Sequence, residues 1–432
     1  MDEWLPQRHL ARFVVEVVDG LDLSEMVKAY RGSGSASYHP AMLLALLIYG
    51  YATRVFSSRA LERATYDSVA FRFIAANEHP DHDTIANFRK RFLPQIEALF
   101  MEVLKLARTM GMLKVGTVAL DGTKIHANAS RHSALSYGHA KKLEKQLKRE
   151  VQQLLKLAEQ ADEADIPDGM SIPEELERRE ARLAAIAEAK KKIEERVKER
   201  DEAEYQAKLA ARAEREKRTG RKPGGRPPAP PSGTVEDTEQ INLTDEDSRI
   251  MPVAGGGFDQ CYNAQASVAT GSLLIVANHL TQAANDKQQL VPLIEKLKAL
   301  PKKLGRVKRA LADSGYLSEA NVEHCAQAKI EPLIAMKRER HHASFRERFA
   351  QAPKAPPESA SAMQKMAHQL KTKRGKKLYA LRKQTPEPVF GIIKSVMGFR
   401  QFLLRGAENV KGEWNLVTMS WNIRRMFALS SA

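Results

Sequence analysis

Val115-Gly-Thr-Val-Ala-Leu-Asp-Gly122 is the stretch whose reading decides the fold. Before it, apolar residues recur at helical spacing. Here a short β-branched run ends in an acid followed by glycine, the pattern of a buried strand that delivers one side chain to its carboxyl edge. A second place of the same kind is Ala310-Leu-Ala-Asp-Ser-Gly315, where Asp313 closes an apolar strand over 307–312. In open α/β sheets that edge is where sites are built. The small residues after each acid, Gly122 and Ser314-Gly315, would let backbone or phosphate approach closely. Either aspartate alone is more readily a turn or cap residue, but two at matching places raise the case for a site.

Working outward, residues 1–112 predict compact helices. Pro40 opens the run Ala41-Met-Leu-Leu-Ala-Leu-Leu47, Ser57-Ser58 caps a second helix, and Asp81 or Asp83 caps a third bearing Ile85, Phe88, Phe92, Ile96, Leu99, Phe100 and Leu104. Arg89, Lys90 and Arg91 on this last helix read as a solvated basic face within reach of phosphate. After the first strand, Leu143, Leu147, Val151 and Leu154, then Leu176, Leu183, Ile186, Ile193 and Val197, predict a helical hairpin. Its turn is Asp165-Ile-Pro-Asp-Gly169, and Ser171 with Glu174 resembles a capping box. Lys222–Gly233, rich in proline and glycine, is a linker. A β-hairpin is expected over Ala264–Ala269 and Gly271–Asn278, then a helix over 286–299 capped by Asn285, a helix over 319–328 capped by Ser318, and a strand over 330–336. The alternation implies an α/β sheet. A basic insert of low order follows, then a helix starting near Pro386-Glu387-Pro388 and an amphipathic helix with Trp414, Val417 and Trp421. The expected organisation is a helical domain over 1–112, a first core segment over 113–138, a helical insertion over 139–220, a linker over 221–235, the core continued over 236–336, a basic insertion over 337–378, and a closing helical segment over 379–432.

The bulk numbers bound the partners. The formal charge of +16 comes from 69 Lys and Arg against 53 Asp and Glu, a broad positive field that suits a polyanion. Two distant cysteines, Cys261 and Cys325, without metal-ligand spacing fit a reducing cytosol and read as buried apolar residues. The longest apolar run, Met42–Tyr51, is short of the ~20 residues that span a bilayer, and Met1-Asp-Glu-Trp4 does not begin a signal peptide. A soluble, intracellular protein is expected.

A third acid, Glu387, lies in the first turn of a helix, where a carboxylate also suits the helix dipole. Chemistry gives a reason to join it to the aspartates. Carboxylates packed together raise one another's pKa and need a cation. Oxygen ligands without His or Cys select Mg²⁺ or Mn²⁺ over zinc. Two such ions roughly 3.5–4 Å apart activate a water or a 3′-hydroxyl on one side of a phosphodiester and stabilise the leaving oxygen on the other.

These residues resemble the DDE transposases of bacterial insertion sequences, in the group with a fused helical N-terminal domain. The resemblance rests on Tyr38-His-Pro-Ala-Met-Leu-Leu-Ala-Leu-Leu47, Ser57-Ser-Arg-Ala-Leu-Glu62 and Phe73-Ile-Ala-Ala-Asn-Glu-His-Pro-Asp-His-Asp-Thr-Ile-Ala-Asn-Phe-Arg-Lys90. In the core it rests on Ala119-Leu-Asp-Gly-Thr-Lys-Ile125, Tyr262-Asn-Ala-Gln265, Ala312-Asp-Ser-Gly-Tyr316, Glu387-Pro-Val-Phe-Gly-Ile-Ile-Lys394 and Gly398-Phe-Arg-Gln-Phe-Leu-Leu-Arg-Gly406. It implies an α/β fold: an RNase H-like mixed sheet core with a helical N-terminal domain and a long helical insertion. It implies Asp121, Asp313 and Glu387 as catalytic residues and ligands of two Mg²⁺ (or Mn²⁺) ions, and DNA contacts at Tyr379, Arg382, Lys394 and Arg400. The partners implied are the transposon's terminal inverted repeats and target DNA, with a homodimer in the active complex, in the cytoplasm and on the nucleoid when bound to DNA. Arg and Lys beside a scissile phosphate serve as charge clamps. Lys394 lies seven residues after Glu387, two helical turns on, so both are expected on one face. One departure stands out: the family places three residues between its Arg and Glu, and here four separate Arg382 from Glu387.

The basic runs Lys337-Arg-Glu-Arg-His-His342 and Lys371-Thr-Lys-Arg-Gly-Lys-Lys377 would follow a DNA backbone or be solvated loops. Two other classes stay open, a catalytically inactive transposase-derived DNA-binding protein and a structural protein built on the charged hairpin.

Overall fold

In the computed structural model, which describes residues 2–30, 37–160, 172–222, 224–336 and 354–430, eight strands form two sheets. They are β1 (Thr117–His126), β2 (Ala134–Ser136), β3 (Gln240–Asn242), β4 (Arg249–Pro252), β5 (Phe258–Ala269), β6 (Ile275–Thr281), β7 (Arg309–Ala312) and β8 (Glu331–Ile334). The six-stranded sheet runs β4-β5-β1-β7-β8, with β6 also paired to β5. β1 pairs antiparallel with β5, and β5 with β6, while β7 lies parallel to both β1 and β8. An antiparallel meander continued by parallel strands is the mixed, RNase H-like sheet that the sequence led us to expect.

The apolar run of β1 does not end the strand at Asp121. Gly122–His126 keep pairing with β5, from Gly122 opposite Gln265 to His126 opposite Cys261. Only Thr117–Ala119 pair with β7. Asp121 is therefore a mid-strand residue, placed beside the point where its parallel neighbour stops. β5 is buried along nearly its whole length and includes Asn263, Gln265 and Ser267 at zero exposure.

The helices before the sheet are α1 (Leu10–Asp19), α2 (Ser24–Lys28), α3 (Pro40–Ala52), α4 (Ser58–Asp67), α5 (Val69–Ile74) and α6 (His82–Thr109). Pro40 sits in the first turn of α3, Ser57 caps α4 by accepting the Ala60 N–H, and Asp81 rather than Asp83 caps α6. Arg89 is not on a solvated face: it is buried, and donates to the Tyr51 hydroxyl and the Phe56 carbonyl, each at 3.2 Å.

Contacts divide the chain into two compact units, Met1–Asn128 with Ile250–Ala432, and Ala129–Arg249. In the second, α7 (Tyr137–Gln160) and α8 (Ile172–Thr219) pack through Tyr137, Ala140, Leu147, Ile186, Ala189, Ile193 and Val197, with Leu135 of β2 and Ile241 of β3 completing the core. The apolar periodicity buries one stripe of each helix. The turn at 165–169 and Ser171 lie outside the described residues.

The remaining helices, all in the first unit, are α9 (Leu290–Lys298), α10 (Glu319–Gln327), α11 (Ala362–Lys371), α12 (Lys373–Ala380), α13 (Pro386–Gly391) and α14 (Ala407–Ser430). Ser318 caps α10 as expected. α9 begins at Leu290, not at 286, because Asp286 turns back toward β5. Part of the expected low-order insert is helical: Ser361 and Gln364 form a capping box at the start of α11, and Thr372 caps α12. The run Lys337–His342 lies outside the described residues. No described helix is long and apolar enough to cross a membrane.

Candidate active site

Strand register brings the two aspartates together. Ala119 of β1 is level with Leu311 of β7, so two residues further along each strand stand Asp121 and Asp313, on adjacent parallel strands spaced about 4.8 Å apart. Equal offsets from a common level put both side chains on the same face. Asp313 also serves as the cap that turns the chain, its Oδ1 accepting the Gly315 N–H at 2.8 Å. Asp121 Oδ1 accepts the N–H of Gly122 at 2.9 Å.

Glu387 enters from the first turn of α13. Between α12 and α13 a turn over 381–385 presents Arg382, whose guanidinium is the point where all three acids meet. Its Nη2 lies 3.5 Å from Asp121 Oδ2 and 3.6 Å from Asp313 Oδ2, and its Nη1 donates to Glu387 Oε1 at 3.3 Å. Because Arg382 is on a turn and not on the glutamate's helix, the fourth intervening residue is absorbed there and does not rotate the side chain away. The Arg382 side chain is 11% exposed, against 52% for that of Glu387, and its buried Nε has no hydrogen-bond partner among the described residues.

Burial pushes the Asp121 carboxyl up to about 7, against the opposing pull of Arg382 and the Gly122 N–H, and the charges of Asp313 and Asp286 add to the rise. One guanidinium does not neutralise this cluster. Among the described residues no group of three or more His, Cys, Asp or Glu side chains is spaced to hold a metal ion. The donor set is nonetheless all oxygen, as a hard divalent cation requires, and three carboxylates converge on the single guanidinium of Arg382. In kind, the residues fit the group.

Neighbouring backbone and core groups hold the other residues expected at the site. Between Glu387 and Lys394, α13 gives way at Ile392–Val396 to a wider π-helical turn closed by Met397 N–H to Ile392 C=O. Lys394 Nζ donates to the Lys124 carbonyl of β1 at 2.7 Å, and burial lowers its pKa. Tyr379 is buried against Ala119, Leu311, Leu333 and Ala335. Arg400 donates through Nε to the Lys394 carbonyl at 3.1 Å and is exposed.

The residues that sequence reasoning left without a role are Asn263, Gln265, Asp286 and Tyr316. A Cβ on Gly122 would meet Gln265 Nε2 at 2.0 Å. The space a side chain would take at Gly122 is filled by a buried carboxamide. The signal was present as amides in an otherwise apolar strand.

Two family descriptions match the chain, "Transposase domain (DUF772)" over residues 1–91 and "Transposase DDE domain" over residues 322–427. The chain carries the domains of an insertion-sequence DDE transposase. The second match contains the turn with Arg382 and the helix with Glu387, whereas Asp121 and Asp313 of this transposase lie outside both matched segments and are joined to Glu387 by geometry alone. No curated protein and no solved structure matches the chain.

Proposed function

We propose that this transposase cuts DNA at the ends of its insertion sequence and joins them to target DNA, with Asp121, Asp313 and Glu387 as its catalytic carboxylates. The observation that carries the reading is their convergence on one guanidinium from β1, the end of β7 and α13, which are far apart in the sequence. The same three side chains would hold two Mg²⁺ or Mn²⁺ ions. When bound, such ions supply the charge that activates a water or 3′-hydroxyl and stabilises the leaving oxygen.

The chain's own contribution is to pre-pay the cost of clustering acids. β1 and β7 fix two carboxylates at one level, so little reorganisation is left at the moment of reaction. Arg382 holds the third against them and offers a planar, permanently charged donor set that also suits a phosphate. Lys394 and Arg400 line the backbone beside β1, and with Tyr379 they stand as DNA contacts. The helices over 1–112 stand as the part that binds transposon ends or a second protomer.

Alanine at Asp121, Asp313 or Glu387 is expected to abolish strand cleavage of DNA carrying the element's own terminal repeats, with end binding kept within about threefold, since a phosphate contact is not what is removed. Full cleavage by any one of the three variants would sink the assignment. End binding without cleavage by the unmodified protein would leave the reading of an inactive, DNA-binding relative.

A further inference from the structure

Behind the carboxylates lies a set of buried polar groups whose hydrogen bonds run in one direction. Asp286 Oδ1 accepts from Asn263 Nδ2 and from Gln265 Nε2, both at 2.7 Å. An ionised carboxylate only accepts, so it fixes which way each amide turns. Gln265 must then aim Oε1 away from Asp286, and this oxygen accepts the hydroxyl of Tyr316. Burial, with the charges of Asp286, Asp121 and Asp313, keeps that phenol far above its ordinary pKa and therefore a donor. Gln265 Nε2 also donates to Asn263 Oδ1 at 2.9 Å, and Asn263 Nδ2 to the Ala283 carbonyl at 3.0 Å. Lys124 Nζ lies 3.8 Å from Asp286 Oδ1.

One end of this chain lies against the residue after Asp121, and the other closes the turn at Asp313. Gln265 lies against Gly122, the residue after Asp121, so closely that no side chain fits there. Tyr316 closes the 3₁₀ turn that Asp313 caps, and the Tyr316 carbonyl is held at 2.7 Å by Asn321, whose amide also binds the Lys287 carbonyl beside Asp286. Asn263, Gln265 and Tyr316 have zero exposure, so water does not substitute for a missing partner.

We propose that Asp286, Gln265 and Tyr316 form a positioning relay that sets the spacing of Asp121 from Asp313 and, through it, the affinity of their cluster for a divalent cation. The inference rests on the reading of those aspartates given above. The relay residues touch neither DNA nor ion; they act through Gly122 and the 314–316 turn. Outer groups of this kind orient the ligands they support, and their loss typically weakens metal affinity or activity 10–100-fold.

The test uses the full-length chain with Tyr316→Phe and Asp286→Asn. Mn²⁺ binding to the protein without DNA is read from the paramagnetic resonance of the free ion, and cleavage of the element's own ends is followed across a Mg²⁺ series. Both variants are expected to weaken Mn²⁺ binding about tenfold and to raise the half-maximal Mg²⁺ concentration by a similar factor. End binding and the thermal midpoint should stay near those of the unmodified protein, and excess Mg²⁺ should restore most of the cleavage rate. Unchanged ion dependence in both variants, or a loss that excess ion does not recover, overturns the relay. Should Tyr316→Phe fail to fold, Asp286→Asn keeps the side chain's shape and one acceptor oxygen and decides alone. Asp121→Ala run alongside separates the two failures: if it cleaves, the site itself is misassigned, and if it is silent while the relay variants match the unmodified protein, only the relay falls.

Discussion

The two units differ in where many of their polar residues find partners. In Met1–Asn128 with Ile250–Ala432, charged and polar groups are buried and joined over great sequence distances: Tyr51 donates to Glu413 at 2.6 Å, Asn278 to Thr418 at 2.9 Å, and Asn422 to the Ile275 carbonyl at 2.8 Å. In Ala129–Arg249, ion pairs such as Arg178 with Glu175 and Lys208 with Glu204 lie one helical turn apart on the solvent side of a narrow apolar seam. The same residue types therefore specify a unique interior in one unit and solubilise helices in the other. A buried group left without its partner costs its full desolvation, whereas an exposed pair is worth little.

The sharpest way to break this contrast is Glu413→Ala. Glu413 is fully buried, and accepts from Tyr51 and from the N–H groups of Leu403 and Leu404. Its truncation orphans those donors and the nearby Arg89, and stability in a denaturant titration should fall by about 3–5 kcal/mol. A loss below about 1 kcal/mol would mean that water reaches the group after all. Next in size, Ile193→Ala removes a side chain of zero exposure from the α7–α8 seam. It should cost about 2–4 kcal/mol, read as lost hydrogen-exchange protection over α7 and α8 with β1 unaffected. Equal loss in β1 would show that the two units unfold together.

The smallest effect concerns Glu144. Hydrogen bonds from Lys148 and Lys190 hold its carboxyl at about 2, below the ordinary 4.5. A carboxyl held down in the folded state contributes stability above its unfolded pKa and loses it as pH falls through the folded value. The helical unit should therefore lose at most about 1 kcal/mol between pH 4.5 and pH 2, relative to Glu144→Gln measured by the same melt. A larger relative loss would show that this pair behaves as a buried one.

How far the sequence could be read follows the same division. The α7–α8 seam was legible because exposed charges and a buried apolar stripe alternate at helical period, and the strand carrying Ala310-Leu-Ala312 was legible from its apolar run. β1 was read too short because Gly122, Thr123 and Lys124 lack apolar character, yet they pair with a β5 whose amides satisfy one another out of solvent. The helix expected over 286–299 begins at Leu290, and only tertiary contact reveals that Asp286 accepts two amides. At the site, the aspartates that follow apolar runs are local signals. That Arg382 reaches all three acids is not local: it depends on a turn whose length compensates the extra residue. Arg89 was read as solvated because nothing in helical spacing reports that Tyr51 lies opposite it.

One feature of the sheet bears on how such a chain is assembled. The backbone leaves β1 at His126, opposite Cys261, and the next N–H, that of Ala127, donates to the Gln260 carbonyl at 2.8 Å. Departure and return are thus neighbouring rungs of one ladder, although more than a hundred residues intervene. Joining two rungs through a long excursion costs only slightly more entropy than through a short one, because the penalty grows with the logarithm of length. The pairing of β1 with β5 is therefore indifferent to the length of chain between β1 and β4, and segments of quite different size can be spliced there without either strand having to change its partner.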